Sequence, residues 1–477
     1  MYIWRVRDEG VTGRGETVNS EQVSVGRGVP PSQQHERIKN MNDTTKSKAP
    51  RAADERFVAR GRRIFMLSCS RMKIAFLTFG CRLNRAEALD QEARLLAEGH
   101  VVVSLDKDSP PDLIVVRGCS VTAKAERDCR KAVAQLRARF PSARIEIAGC
   151  LKMPSPIPNT PSVPLNSQPT APSSSSVPLR TTRAYLKIQD GCSGKCAFCI
   201  VPSFRGAPRS IPFGQILARA RAFLSAGYRE LVVTGCNLSL YRDSGHGLPD
   251  VLAALAAEGT GHRVRLSSLE PGICDDGVLD AFAAHPNICR SIHLSVQSGS
   301  DAILARMNRP YAIAAVDRFC EAAVRRLGPR LAFGADVITG FPGETDADFA
   351  ATRAFLLRHP FVNLHVFPYS ERPGTPAATM DGTVPLAVRR ARAKELEAVG
   401  RTKRLAFATF FLGKDVEVCV ERDRTGWTAE YLKCALTGIK GSTDRGNRPA
   451  RRSLVRGRVV RVEGETLVAD PARLAAP

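Results

Sequence analysis

Long apolar segments are missing from this 477-residue chain. No apolar run approaches the ~18 residues that a membrane-spanning helix requires, although 43% of the residues are hydrophobic. The basic start is not followed by an apolar region with a small-residue cleavage site, so no signal peptide is predicted. We therefore expect a protein that does not enter the membrane and lies in the cytoplasm.

Acidic residues are scarce relative to basic ones. The chain has 70 Lys and Arg against 47 Asp and Glu, which gives a formal net charge of +23. This excess favours a polyanionic partner such as nucleic acid, although a solvated basic surface would give the same count. The 14 cysteines of a chain expected in the cytosol indicate metal or redox chemistry rather than structural disulfides.

A fourth cysteine is missing from the most informative motif, C-x3-C-x2-C, formed by Cys192, Cys196 and Cys199; the next cysteine is Cys236. Thiolates close together on an irregular loop suit an iron–sulfur cluster, and three of them leave one iron of a four-iron cube open. The alternatives are a zinc site and three buried thiols. Zinc motifs usually pair two C-x2-C units, and only one such unit is present.

Two stretches lack the apolar periodicity of folded segments. Residues 1–71 mix Gly, Pro, Ser, Gln and Arg, and we interpret them as a disordered extension or a mis-called start, with the folded chain beginning at Met72. Residues 153–182 are rich in Pro and Ser and are expected to form an extended, mobile linker.

Strand and helix patterns alternate from residue 72 to 152, which predicts a parallel α/β domain of the Rossmann or flavodoxin-like type. Asn84 and Thr122 are expected to cap its two helices. Three predicted strands end in Gly-Cys, at Cys81, Cys119 and Cys150. Because ligands bind at the carboxyl ends of parallel strands, these cysteines are predicted to form a second three-thiolate site, the alternative being simple packing.

The alternation resumes from residue 183 to 410 with six strand–helix units, which predicts a partial (β/α)6 barrel. The three-cysteine loop follows its first strand, where the site of such a barrel belongs. Asp336 lies inside an apolar strand, so it is either a site residue or part of a buried ion pair. His293 and His365 are interpreted as core residues.

The tail from 411 to 470 has short strands and turns, which predict a small β-barrel. Residues 401–461 contain 15 Lys and Arg but 6 Asp and Glu. With Trp427 and Tyr431 among them, a nucleic-acid surface is expected here.

The combined pattern resembles the radical S-adenosylmethionine (SAM) methylthiotransferases from about residue 73 to 470, apart from the linker. Besides the cysteine loop, the resembling segments are TFGCRLN at 78–84, VRGCSVT at 116–122, AGC at 148–150, SSLEP at 267–271, SVQSGS at 295–300 and DVITGFPGE at 336–344. GWTAEY at 426–431 resembles part of the family's RNA-binding TRAM domain. LKIQDGC at 186–192 most resembles the MtaB-type branch, which adds a methylthio group to C2 of N6-threonylcarbamoyladenosine at position 37 of tRNA.

The resemblance implies two 4Fe-4S clusters and SAM as cofactors. Cys192, Cys196 and Cys199 would hold the cluster that binds and cleaves SAM, and Cys81, Cys119 and Cys150 the cluster that delivers sulfur. The residues expected to contact SAM are Phe198, Glu270, Gln297, Ser298 and Asp336. Arg205 and Arg209 would meet phosphate or the SAM carboxylate, or simply face solvent. The implied partners are tRNA, a flavodoxin- or ferredoxin-type electron donor and a sulfur donor, and we expect a monomer.

Two departures from the family pattern affect the N-terminal domain. Arg117-Gly118 replaces the usual Asn-Thr before the second cysteine, and the Pro/Ser linker replaces a further strand and helix, so the domain is expected to be shortened. Other targets remain open, namely isopentenyladenosine in tRNA or an aspartate of a ribosomal protein. An alternative of another class is a non-catalytic RNA-binding metalloprotein that holds zinc.

Overall fold

A computed structural model describes residues 71–105, 109–151, 177–178, 180–273, 276–421, 424–437 and 451–473. The predictions for residues 1–70, and for all but a few residues of the 153–182 linker, lie outside the described residues. The described chain is a mixed α/β structure with parallel sheets and a C-terminal barrel, which confirms the predicted fold class.

The N-terminal part is a four-stranded parallel sheet in the order β2-β1-β3-β4. Its elements are β1 (Lys73–Thr78), α1 (Arg82–Ala97), β2 (Val101–Val102), β3 (Leu113–Gly118), α2 (Ala123–Arg139) and β4 (Arg144–Gly149). This is the strand order of a flavodoxin-like sheet. β3 is buried along its whole length because it lies between β1 and β4 and its sequence, LIVVRG, is largely apolar.

One of the two predicted helix caps is confirmed. The Thr122 side chain accepts a hydrogen bond from the backbone N–H of Ala125, 3.1 Å away, and caps α2. The prediction for Asn84 is wrong, because α1 begins at Arg82 with Cys81 as its N-cap. Asn84 instead donates to the carbonyls of Phe79 and Gly118, at 2.8 and 2.9 Å, and ties the end of β1 to the end of β3.

Glu92 of α1 gives the protein a pH-dependent stability. Burial raises its pKa to about 7, although the charge of Arg180 opposes the shift. The folded state therefore keeps a proton that the unfolded chain releases near pH 4.5, so stability falls as the pH rises from about 4.5 to 7. Glu92→Gln removes this pH-dependent loss of stability. We expect the change that this substitution makes in the free energy of unfolding to be ~3 kcal/mol more favourable at pH 8 than at pH 5.

Anaerobic urea unfolding followed by circular dichroism at the two pH values measures this difference. Glu98→Gln, at the half-exposed end of the same helix, is the control and should show no such pH dependence. Equal effects of Glu92→Gln at pH 5 and pH 8 would contradict the assignment.

The central part contains six parallel strand positions, as predicted. Its strands are β5 (Ala184–Lys187), β6 (Gln189–Asp190), β7 (Arg209–Ser210), β8 (Glu230–Thr234), β9 (Arg263–Leu266), β10 (Ser268–Leu269), β11 (Ser291–Gln297), β12 (Ala332–Thr339) and β13 (Phe361–Pro368). Two parallel sheets are formed, in the orders β5-β8-β9 and β10-β11-β12-β13. They continue each other as one barrel wall, because β9 and β10 are consecutive halves of one strand that is interrupted at Ser267. β6 and β7 pair separately as a short antiparallel ribbon.

Helices connect these strands and cover the outside of the wall. They are α3 (Val201–Arg205), α4 (Phe213–Ser225), α5 (Leu248–Ala257), α6 (Asp276–Ala284), α7 (Asp301–Arg306), α8 (Ile313–Leu327), α9 (Asp346–Arg358) and α10 (Leu386–Phe410), with short 3-10 turns at Leu238–Leu240, Pro271–Ile273 and Pro376–Thr379. One hydrophobic core joins strands and helices, so the barrel wall is a rigid support for the loops at its carboxyl ends.

The C-terminal part is a closed five-stranded barrel in the order β14-β15-β16-β18-β17, which confirms the predicted small barrel. Its strands are β14 (Asp415–Val420), β15 (Thr425–Thr428), β16 (Lys433–Leu436), β17 (Leu454–Glu463) and β18 (Thr466–Asp470), followed by a 3-10 turn at Pro471–Arg473. Among the described helices, none is long and apolar enough to cross a membrane.

The prediction that Trp427 and Tyr431 belong to a nucleic-acid surface is wrong for Tyr431. This residue is only 7% exposed and stacks on Trp427, with ring centroids 4.7 Å apart. The guanidinium groups of Arg265 and Arg82 lie 4.8 and 5.3 Å from its ring centroid. Tyr431 therefore joins the C-terminal barrel to the central wall and to the N-terminal domain, and it is not available for stacking on bases.

Candidate active site

A cavity of about 270 Å³ lies where the N-terminal sheet meets the carboxyl ends of the barrel strands. Both predicted cysteine groups reach it, and its lining includes Cys81, Cys150, Cys192, Cys196 and Cys199. Cysteines more than 100 positions apart in the sequence, such as Cys81 and Cys199, thus line the same cavity. The sequence predicts two three-cysteine sites. The structure adds that both cysteine groups open onto one cavity.

Glycine conformations bring the N-terminal cysteines together. Gly80 and Gly149 have φ of +88° and +83°, a region that favours glycine. A side chain at Gly80 would lie 2.9 Å from the Cβ of Cys119, and one at Gly149 would lie 2.7 Å from the Gly118 carbonyl oxygen. The Gly-Cys dipeptides therefore allow three strand ends to approach each other closely.

Cys119 is the deepest of the three thiols, with 1% of its surface exposed. Burial, reinforced by repulsion from Cys81 and Cys150, raises its pKa to about 12. A metal cluster must therefore displace the thiol proton when it binds, since only the thiolate is a good ligand. Cys129 packs behind this group, with its sulfur accepting a hydrogen bond from the Cys119 N–H at 3.4 Å.

The loop after β5 is held around its three cysteines by backbone contacts. The Cys192 N–H donates to the Gly206 carbonyl at 3.0 Å, and the Ala197 N–H donates to the Met307 carbonyl at 2.9 Å. Gly191 has φ of +70°, and a side chain there would lie 2.0 Å from the Ala207 carbonyl oxygen. These contacts hold the backbone of the loop around its three cysteines.

Both cysteine groups receive N–H donors that suit thiolates. The Gly194 N–H lies 3.3 Å from the Cys192 sulfur, and Nη1 of Arg309 lies 3.0 Å from the Cys196 sulfur. Nε of Arg205 lies 3.1 Å from the Cys150 sulfur. Hydrogen bonds of this kind to the ligating sulfurs tune iron–sulfur clusters.

The number and type of donors fit clusters better than single zinc ions. Each group supplies three free cysteines, so a four-iron cube on either group would keep one iron without a protein thiolate. Structural zinc sites are almost always closed by four protein ligands. The donor sets therefore fit 4Fe-4S clusters better than structural zinc.

The structure places four of the five residues predicted to contact SAM around the cavity, namely Phe198, Glu270, Gln297 and Asp336. Gln297 ends β11 with φ of +66°, a backbone conformation that is uncommon for non-glycine residues. Ser298 is fully buried and lies 3.2 Å from the Thr352 hydroxyl, so the structure does not bring it to the cavity lining.

Sequence reasoning missed two residues at the cavity. Arg309 links Glu270 to Cys196, since it pairs with the Glu270 carboxylate and donates to the Cys196 sulfur. Cys236 lines the cavity and donates to Asp190 at 3.4 Å. Cys236 ends its strand with the same Gly-Cys dipeptide as the N-terminal cysteines, which is a signal that the sequence contains, but nothing local marks Arg309.

Arg205 connects the two cysteine groups. Its side chain is 7% exposed, so it does not face solvent, whereas that of Arg209 is 58% exposed. Arg205 contacts the Cys150 sulfur and also donates to Asn84 Oδ1 at 3.1 Å and to Glu87 Oε1 at 2.7 Å. One side chain from the helix after the C-x3-C-x2-C loop thus supports the N-terminal cysteine site.

Glu87 is the acidic centre of this contact. Burial alone would raise its pKa, but the charges of Arg205, Lys187 and Arg117 hold the pKa well below its ordinary value. Arg117, which replaces the family's usual asparagine, lies 3.0 Å from the Glu87 carboxylate and also donates to Gln91. The departure at position 117 is therefore accommodated by a buried ion pair.

We expect Arg205→Lys to lower the free energy of unfolding by ~2 kcal/mol, because lysine keeps the charge but loses the forked geometry that reaches Cys150, Asn84 and Glu87 together. Anaerobic urea unfolding measures the change. Arg209→Lys is the matched control, four residues away and exposed, and should change it by less than ~0.5 kcal/mol. Similar losses for the two variants would show that Arg205 has no special structural role.

Two family models match the chain. The Radical SAM superfamily matches residues 186–356, and the Uncharacterized protein family UPF0004 matches residues 73–156. The matched ranges contain the C-x3-C-x2-C loop and the three Gly-Cys strand ends, respectively. The fold and the site thus define a radical SAM protein, with SAM and 4Fe-4S clusters as its cofactors.

Full-length relatives give the family more closely. The chain is 30% identical over 428 residues to the threonylcarbamoyladenosine tRNA methylthiotransferase MtaB of Thermotoga maritima, covering 80% of this chain and 98% of that protein. It is 33% identical over 417 residues to the MtaB of Chlamydia pneumoniae, covering 82% and 96%. It is 31% identical over 383 residues to the tRNA-2-methylthio-N(6)-dimethylallyladenosine synthase of Sphingopyxis alaskensis, covering 72% and 86%. The chain belongs to the radical SAM tRNA methylthiotransferase family.

Proposed function

We propose that this protein adds a methylthio group to C2 of N6-threonylcarbamoyladenosine at position 37 of tRNA. The cavity onto which the two cysteine groups open supports methylthiolation, and the identity to MtaB proteins over most of their length supports the threonylcarbamoyl nucleoside. A reaction that needs both a radical and a sulfur atom requires its two cofactors to face the same substrate atom, and a shared cavity provides that arrangement.

Each cysteine group is assigned one cluster. Cys192, Cys196 and Cys199 would hold the cluster that binds SAM, and Cys81, Cys119 and Cys150 would hold the second cluster. Phe198, Glu270 and Gln297 line the cavity and are assigned to SAM. Ser298 and Asp336 were predicted for the same role. Ser298 does not reach the cavity, whereas Asp336 lines it and its contact with SAM stays a prediction.

The target C–H bond explains why such cofactors are needed. C2 of adenine carries an unactivated hydrogen, and no side-chain base has the pKa to remove it as a proton. When bound, SAM and the clusters supply the radical and sulfur chemistry that side chains cannot. The chain's own residues contribute the loop around the three cysteines and the N–H donors to the ligating sulfurs.

Arg309 and Glu270 have a positioning role in this proposal. Arg309 donates to the Cys196 sulfur and to the Ser295 carbonyl at 3.0 Å each, and its charge is balanced by Glu270. The pair therefore fixes one ligating cysteine relative to the end of β11, where Gln297 meets the cavity. Arg205 has the same positioning role at the N-terminal cysteine group, where it donates to the Cys150 sulfur.

The partners follow from the chemistry. The reaction needs tRNA, an electron donor of the flavodoxin or ferredoxin type and a source of sulfur, and a monomer in the cytoplasm is sufficient for it. We assign the N-terminal methylthiotransferase domain to residues 72–152, the radical SAM barrel to 183–410 and the RNA-binding TRAM-like domain to 411–470. The basic excess of residues 401–461 supports a tRNA contact by the last of these.

Nucleoside analysis of tRNA from a deletion strain tests the substrate. We expect loss of methylthiolated threonylcarbamoyladenosine and its return when the gene is restored, with methylthiolated isopentenyladenosine unchanged. Loss of the isopentenyl product instead would favour the alternative substrate, which the relative from Sphingopyxis alaskensis keeps open. Unchanged amounts of both nucleosides, in a strain with no second enzyme, would contradict a tRNA methylthiotransferase role.

A further inference from the structure

Three side chains with metal-binding donor atoms, His293, Asp336 and His365, lie together beside the same cavity, which Asp336 lines. The three residues come from the adjacent parallel strands β11, β12 and β13. His365 is the direct register partner of Asp336, and His293 is paired with Gly334 two residues earlier. Three neighbouring strands thus present their side chains at one place.

The donor atoms have the spacing of a metal shell. Nε2 of His293 lies 3.1 Å from Oδ1 of Asp336, and Nδ1 of His365 lies 3.3 Å from the same oxygen. All three donor atoms lie within 4.8 Å of one another. Bonds of about 2.0–2.2 Å to one ion put neighbouring ligand atoms about 3 Å apart, so an ion fits with small side-chain adjustments.

The surroundings make room for these rings. A side chain at Gly334 would lie 2.3 Å from Nδ1 of His293, so glycine is what allows the ring to occupy this position. The two imidazoles stack with centroids 4.8 Å apart and approach the carboxylate side by side. Asp336 lines the cavity, His293 is 6% exposed, and the His365 side chain is 22% exposed, so an ion can reach the carboxylate from the cavity.

We propose that His293, Asp336 and His365 bind one divalent transition-metal ion, of the zinc or iron(II) type. Two imidazoles and one carboxylate are a donor set that such ions prefer, and the ion keeps free positions for oxygen donors of a bound substrate.

Zinc(II) titration of the cluster-loaded protein tests this site, because imidazole and carboxylate donors suit Zn²⁺ and the six assigned cysteines are then occupied by the clusters. Equilibrium dialysis with elemental analysis of bound zinc measures binding, which does not depend on methylthiolation activity. We expect one strong site per chain. Asp336→Asn and His365→Gln should each weaken binding at least tenfold.

His359→Gln is the matched control, because His359 is also a buried histidine that contacts a carboxylate, Asp317, but that pair is not at the cavity. It should leave the strong site unchanged. Circular dichroism and iron content establish that each variant is folded and loaded, and His365→Gln serves if Asp336→Asn does not fold. Absence of a strong site in the unmodified protein, or equal affinity in all variants, would overturn the proposal.

Discussion

Cys196→Ala should abolish SAM cleavage and lower the iron content from about eight to about four atoms per chain, since each cube holds four irons. Removing one of three thiolates leaves a cube on two ligands, and the buried Arg309 that donates to the Cys196 sulfur loses its acceptor. We expect SAM cleavage to fall at least 100-fold, a loss beyond that caused by outer-shell changes. Anaerobic iron and sulfide analysis, with chromatographic detection of 5′-deoxyadenosine, measures both effects.

Cys320→Ala is the control for this prediction. Cys320 is fully buried in α8 and lies in the barrel core, away from the cavity lining. It should keep about eight irons and normal SAM cleavage. If Cys196→Ala still cleaves SAM at the rate of the unmodified protein, the ligand assignment of the C-x3-C-x2-C loop is wrong.

Cys150→Ala should separate the two halves of the reaction. Its sulfur accepts from Arg205 and belongs to the N-terminal group, so its loss should remove the second cluster while the first remains. We expect about four irons per chain, SAM cleavage within about threefold of the unmodified protein, and methylthiolated tRNA reduced at least 100-fold. Incubation with unmodified tRNA substrate, followed by nucleoside mass spectrometry, measures the last of these.

The same domain supplies the control. Cys129 is fully buried and lies against Cys119, but it does not line the cavity. Cys129→Ala should therefore keep both clusters and full methylthiolation. A protein that holds only about four irons before any substitution would show that the second cluster is absent in this chain, and the reaction would then need another sulfur source.

Much of the fold could be predicted because its signals are local. Apolar runs such as LIVVRG and strand–helix alternation give parallel sheets, and the C-x3-C-x2-C spacing marks one cluster loop without any structure. Thr122 followed by a helical segment was enough to place the cap of α2. Asn84 shows the limit of such local signals. It is a good capping residue, but α1 begins before it, and its side chain donates to the carbonyls of Phe79 and Gly118 instead.

The surface properties of single residues were less predictable. Tyr431 and Arg205 look like exposed nucleic-acid or phosphate contacts in a basic sequence. Tyr431 is nevertheless buried and the Arg205 side chain is only 7% exposed, because each contacts residues far away in the chain. Ser298 neighbours Gln297, but the change of backbone direction at Gln297, with its positive φ, turns the Ser298 hydroxyl toward Thr352. Such outcomes depend on which long-range contacts satisfy a charge or hydroxyl, and no local pattern specifies them.

The sequence by itself determined the class of chemistry, because ligand number and spacing within a short loop, and glycine before cysteine at strand ends, are encoded residue by residue. Only the tertiary structure decided that the two cysteine groups share one cavity, that Arg205 and Glu87 join the domains that hold them, and that His293, Asp336 and His365 meet. These relations follow from the packing of α1 and the N-terminal sheet against the barrel and from strand register. Packing and register bring together residues that are far apart in the chain, and their distances are set by the whole core rather than by neighbours in sequence.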